Sequence, residues 1–104
     1  MERIEQIKKL LKSDENDSFL QHALALEYIK MGDDAAAKVL FNSILEREPG
    51  YIGSYYHLGK LLERNNDFPA AIGVYKKGME VAESAKDHHS FTELQAAFDE
   101  LEVE

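Results

Sequence analysis

Apolar residues along the chain recur at spacings of three and four and nowhere alternate strictly, the pattern of helices that each bury one face. Ile4, Ile7, Leu10 and Leu11 form a first stripe, and Leu20, Leu24, Tyr28 and Met31 a second. Val39, Leu40, Phe41, Ile44 and Leu45 make the third, and Tyr55, Leu58, Leu61 and Leu62 the fourth. Ile72, Tyr75, Met79 and Val81 follow, and Phe91, Leu94, Phe98 and Leu101 close the series. Turn-forming clusters separate the stripes at Ser13 to Ser18, Gly32-Asp33-Asp34, Pro49-Gly50, Asn65-Asn66-Asp67 and around Ser84 to Ser90. The pattern predicts an all-α chain of six helices, each about 12–16 residues long, joined by short turns.

Start and stop signals fit these helices. Asp17 or Ser18 can cap the second, Asp33 the third, and Asp67 the fifth, with Pro69 in its first turn, where a missing N–H costs nothing. Pro49 ends the third helix, because the residue before a proline is pushed out of the α region. Ser90-x-x-Glu93 reads as a capping box for the last helix, and Asp87 is an equal candidate for that cap.

The chain also repeats itself. An offset of 34 residues aligns Leu24 with Leu58, Asp33 with Asp67, Ala36-Ala37 with Ala70-Ala71, Phe41 with Tyr75 and Glu46 with Glu80. Residue class carries more than identity. The first helix of each unit reads large, then Leu plus a small residue, then large: Gln21-x-x-Leu24-Ala25-x-x-Tyr28 and Tyr55-x-x-Leu58-Gly59-x-x-Leu62. The second helices carry Ala37-x-x-x-Phe41 and Ala71-x-x-x-Tyr75. Two helices approach to about 8–10 Å only where small side chains meet. Ala25, Gly59, Ala37 and Ala71 therefore mark the expected contacts.

This pattern resembles the tetratricopeptide repeat, a 34-residue helix–turn–helix unit. The resemblance covers residues 18–51 and 52–85. It implies antiparallel helix pairs stacked into a short right-handed superhelix. There are departures: Gln21 stands where the family prefers Trp, and Ile44 where it prefers a small residue, although Gly78 fits in the second copy. Pro49 matches the family's terminal proline, but Glu83 does not, so the fifth helix is expected to run on into Lys86. Subtracting the two units leaves residues 1–17 and 86–104. Repeats need neighbours or caps. Ile7, Leu10 and Leu11 fall where a preceding repeat would place the apolar residues of its second helix, which makes residues 1–17 a half-repeat cap. Residues 86–104 form a capping helix, with Glu93, Asp99, Glu100, Glu102 and Glu104 toward water.

Composition narrows the function. With 104 residues, 12 Lys+Arg, 20 Asp+Glu and no cysteine, the chain is one acidic domain of net charge −8, without disulfides or thiol chemistry. Nucleic acid and anionic membranes both require clustered Lys or Arg and are poor partners for it. No apolar run approaches the ~20 residues of a membrane span. The first residues lack the apolar core of a secretory signal, so a cytoplasmic address is expected. Six of the acids and none of the bases lie in residues 87–104, so much of the charge belongs to the closing helix.

Candidate chemistry is sparse. His22, His57, His88 and His89 are the histidines, and adjacent His88 and His89 diverge by about 100° on a helix, too far to share one ion. Neither a metal nor another cofactor is expected, and no phosphate-cradling loop or nucleophile elbow is present. An enzyme is not expected.

In the family that the chain resembles, first helices of successive repeats line a concave groove for a peptide. The resemblance assigns Phe19, His22, Leu26, Ile29 and Lys30 in the first copy. It assigns Tyr56, Lys60, Glu63 and Arg64 in the second, with Tyr51 at the junction. That mixture implies a peptide held by stacking, with Lys30, Lys60 and Arg64 pairing its carboxylates. The family's Lys/Asn clamp for acidic carboxy-terminal peptides would fall on His22, Leu26 and His57, and is absent. The expected partner is another protein or peptide. The alternative is self-association, through the Phe91, Leu94, Phe98 and Leu101 stripe or the N-terminal half-repeat.

Overall fold

The computed structural model describes residues 2–102, the side chain of Glu102 excepted. The expectation that Glu102 and Glu104 face water therefore lies outside the described residues. Six helices follow one another: α1 (Glu2–Leu11), α2 (Ser18–Lys30), α3 (Asp34–Arg47), α4 (Gly53–Arg64), α5 (Phe68–Ser84) and α6 (His88–Glu102). Among the described residues there is no strand. The chain divides into two compact units, Met1–Glu48 and Pro49–Glu104.

In the first unit α2 packs against both α1 and α3. Ile4, Ile7 and Leu24 form a buried cluster, bordered by Leu11, Leu20, Ala23, Tyr28 and Leu40. Ala25, Ala37, Phe41 and Ile44 are also buried, the last four with no more than trace exposure. Two members of the expected stripes point elsewhere. Leu10 is 57% exposed because, at about 100° per residue, it lies about 90° from the arc that Ile4, Ile7 and Leu11 share. Val39 is 69% exposed, on the side of α3 opposite Phe41 and Ile44. Met31 caps the C-terminal end of α2 and is exposed.

Gln21 occupies the place where the family prefers Trp, and it is buried within a polar network. Its amide Nε2 donates to the Glu15 carbonyl at 2.9 Å, and its Oε1 accepts from Arg47 Nη2 at 2.8 Å. The same Arg47 nitrogen donates to Ser18 Oγ at 2.8 Å, and that hydroxyl donates to Glu48 Oε1 at 2.7 Å. Each donor and acceptor meets a partner, which is what allows polar side chains to be buried without a desolvation penalty of several kcal/mol.

In the second unit α5 packs against α4 and α6, and α6 also touches α4. Tyr55, Leu58, Leu61, Leu62, Ala71, Tyr75, Ala82, Leu94 and Ala97 are buried. Ala82 is fully enclosed whereas its neighbour Val81, expected in the stripe, is half-buried. Gly59 lets α4 lie directly on the Tyr75 ring: a Cβ there would stand 2.6 Å from Tyr75 Cζ. At Gly78 a Cβ would come within 2.7 Å of Tyr55 Cβ and 3.0 Å of Leu94 Cδ1. At Gly59 and Gly78 the small residue is thus required by the closeness of the helices, and Ala25, Ala37 and Ala71 are fully buried.

Three of the turns share one construction. Gly32, Asn66 and Lys86 adopt φ of 81°, 63° and 61°. The following Asp33, Asp67 and Asp87 N–H groups donate to the carbonyls of Tyr28, Leu62 and Ala82, each at 2.9 Å. This is the Schellman closure of a helix. Each of the three aspartates then caps the next helix, accepting from Ala36 N, Ala70 N and Ser90 N. Asp17 caps α2 in the same way through Leu20 N. Two expectations are corrected. The α5 helix stops at Ser84 and Lys86 is left-handed, because Asp87 supplies a stop and a start together. The cap of α6 is Asp87; Ser90, read as a capping-box residue, donates its hydroxyl to Asp87 Oδ2 at 2.9 Å instead. Pro49 ends α3 as expected, with Glu48 in an extended conformation at φ −139°, ψ 76°.

Candidate functional site

In the first unit the assigned groove residues fall on one side of α2, within an arc of about 100°. Phe19 is 70% exposed in the first helical turn. His22 is half-buried and meets the Phe41 ring edge-on at 5.5 Å, and Leu26 and Ile29 are half-buried beside it. Lys30 is exposed, but its ammonium lies 3.2 Å from Glu27 Oε2, which Arg3 Nε approaches at 3.6 Å. The one Glu27 carboxylate is thus shared by two exposed cations.

In the second unit Tyr51 is half-buried just before α4, and Arg64 is exposed at the end of that helix. Tyr56 is half-buried, with Lys60 Nζ 5.7 Å from its ring centroid and the His57 ring edge-on at 5.6 Å. Lys60 Nζ also lies 3.9 Å from Glu63 Oε2 and 3.8 Å from Glu100 Oε1 on α6. Glu63 in turn accepts the Tyr75 hydroxyl. Burial, and then that carboxylate, push the Tyr75 phenol far above its ordinary range, so it remains a donor. Lys30 and Lys60 thus both lie beside acids of the chain itself.

Between α4 and α6 a pocket of about 210 Å3 opens to solvent, lined by Ile52, Gly53, Tyr56, His57, Ser90, Glu93 and Leu94. Its floor is aromatic and aliphatic; its polar rim is Ser90 and Glu93. Burial lowers the His57 pKa, with Arg64 adding to the shift and Glu93 opposing it, so the imidazole is uncharged at neutral pH. His89 Nε2 stands 3.7 Å from Glu93 Oε2.

Of these lining residues only Tyr56 was among the groove residues assigned from sequence. The others come from the start of α4 and from α6, which was read as a cap. A signal for them exists in the chain. Phe91-x-x-Leu94 and Phe98 repeat Tyr55-x-x-Leu58 and Leu62 at an offset of 36 instead of 34, so α6 has the apolar spacing of a further first helix. The apolar stripe on α6 faces inward: Leu94 is buried, Phe91, Phe98 and Leu101 are half-buried, and Lys76 Nζ lies 5.8 Å from the Phe98 centroid. Among the described residues no group of three His, Asp or Glu side chains is placed to hold a metal ion, and no helix is long and apolar enough to cross a membrane.

A tetratricopeptide repeat family model matches residues 20–51 and 52–84. A tetratricopeptide repeat domain protein from Salinibacter ruber, solved by crystallography, is 41% identical with a TM-score of 0.79, over 83% of this chain and 96% of that one. Its solution structure superposes with a TM-score of 0.80, over 83% of this chain and 87% of that one at the same identity. A protein from Bordetella parapertussis shares the fold at 24% identity, with a TM-score of 0.82 over 94% of this chain and 85% of that one. A search of curated proteins gave no match. Tetratricopeptide repeats are non-catalytic scaffolds for protein–protein interaction. The two matched units, the six helices and the shared architecture place this chain in the tetratricopeptide repeat family.

Proposed function

We propose that the chain is a non-catalytic adaptor that binds a segment of another protein along its first helices. In the first unit the binding residues are Phe19, His22, Leu26, Ile29 and Lys30; in the second they are Tyr51, Tyr56, Lys60 and Arg64. The observation that carries this reading is the open pocket between α4 and α6, with Tyr56 and His57 in its wall. Aromatic anchors in partly enclosed pockets are where interface energy concentrates. In the first unit, the 70% exposure of Phe19 supports the same use of the α2 surface.

Affinity capture from the native cell tests the proposal. A partner retained by the unaltered chain is expected to be lost with Tyr56→Ala and weakened with Phe19→Ala, while helicity stays constant. A set of captured proteins unchanged by either substitution overturns the adaptor reading. The alternative is self-association through the N-terminal half-repeat or the α6 stripe, in which Leu94 is buried and Phe91, Phe98 and Leu101 are half-buried.

A further inference from the structure

From the α4–α6 pocket we infer that the partner segment is basic, and that the pocket receives one of its lysine or arginine side chains. This rests on the adaptor reading and adds the chemistry of the ligand.

Size is the first argument. At about 210 Å3 the pocket is below the ~300–1,000 Å3 of sites for metabolites or drug-sized ligands, and is suited to a single long side chain. Its lining is the second. Ile52, Leu94 and the Tyr56 ring offer apolar surface to an alkyl stem, and Glu93 stands at the rim to accept from the charged head. The third is charge. Glu93 is the acidic residue of the lining, and burial lowers the pKa of His57 beside it. Of the nearby cations, Lys60 Nζ lies 3.9 Å from Glu63 Oε2 and 3.8 Å from Glu100 Oε1, and Arg64 stands exposed at the C-terminal end of α4. Across α4 and the described side chains of α6 stand Lys60 and Arg64 against Glu63, Glu93, Asp99 and Glu100. Complementary fields of this kind steer encounter and reject partners of the wrong sign. An acidic peptide would bring its carboxylates against Glu93.

The test uses the full chain, isotopically labelled, titrated with acetylated nonapeptides alternating serine with arginine, glutamate or leucine. Saturable shifts of the Tyr56, His57 and Leu94 signals are expected with the arginine peptide. The affinity is expected to fall about tenfold in Glu93→Gln, the scale of one charge-assisted contact. The exposed Glu46→Gln serves as a control expected to change nothing. Equal or tighter binding of the leucine or glutamate peptide at the same signals overturns the basic-ligand inference and leaves the adaptor reading standing. An arginine peptide indifferent to Glu93→Gln overturns the assignment of the pocket. Concentration-dependent shifts of the pocket signals without any peptide would give the pocket to a second copy of the chain and overturn it too. If none of the peptides moves any signal on α2, α4 or α6, both readings fall.

Discussion

Where the first repeat has Gln21 on α2 and Ile44 on α3, the second has Tyr55 on α4 and Gly78 on α5. All four are buried. At equivalent places the bulk sits on the second helix in one unit and on the first helix in the other. In the second unit the Tyr55 hydroxyl donates to the Pro49 carbonyl at 2.6 Å, and α5 comes so close that only glycine fits at 78. In the first, Gln21 anchors the Arg47 network, and Ile44 is fully buried. A repeat motif therefore constrains sizes in pairs: what it fixes is the filled space between two helices, and each copy divides that space differently.

The largest test of this comparison reverses the sizes. Ile44→Gly is expected to cost about 4–5 kcal/mol, from a cavity and from glycine in a helix interior. Gly78→Ala, the opposite change at the matching place, is expected to cost about 1–3 kcal/mol through overpacking, despite the ~1 kcal/mol that alanine gains in helix propensity. Chemical denaturation measures both. A stabilising Gly78→Ala would show that the close approach of α4 and α5 relaxes freely, and would break the comparison.

The histidines sharpen it at a smaller scale. His57 has its pKa lowered by burial, whereas the unfolded chain takes up that proton near the ordinary 6.5. Below about pH 6.5 the unfolded state therefore binds more protons, so stability falls as pH drops toward the folded-state pKa and is unaffected above pH 7. His57→Gln is expected to remove part of this slope, a fraction of one proton, in denaturation curves between pH 7 and 5. The smallest effect concerns the turns. Lys86 has the left-handed conformation that Gly32 holds without cost, so Lys86→Gly is expected to raise stability by about 0.5–1 kcal/mol. Thermal unfolding reads this directly; a loss of stability would mean that the lysine side chain itself holds the α5–α6 turn.

Much of the fold was legible because its signals are local. Apolar spacing located all six helices, and aspartates and Pro49 marked their boundaries. The misplacements were also local in origin. Leu10 and Val39 are apolar and near the stripes, yet a helix turns them away from the arc that is buried. The turn between α5 and α6 was legible, with Asp87 and Ser90 both open as the cap; that α5 stops before Lys86 was not, because a lysine in a glycine's conformation leaves no compositional trace. Of the candidate site, the α2 and α4 residues came from the repeat register, which says which side of a first helix is available. It is silent on what neighbouring side chains do to one another. The pairing of Lys60 with Glu100 joins residues 40 apart in sequence, and the pocket is walled by α6, whose register is shifted by two.

The sequence by itself determined the helices, the repeat and the family, because periodicity, caps and residue size act over one turn or one repeat length. Tertiary structure alone decided the charge that the α4–α6 surface presents. Whether a lysine reaches a ligand depends on which carboxylates lie within 4 Å of it; for Lys60, Glu63 stands three residues on in the same helix, whereas Glu100 is brought there by the packing of α6 on α4.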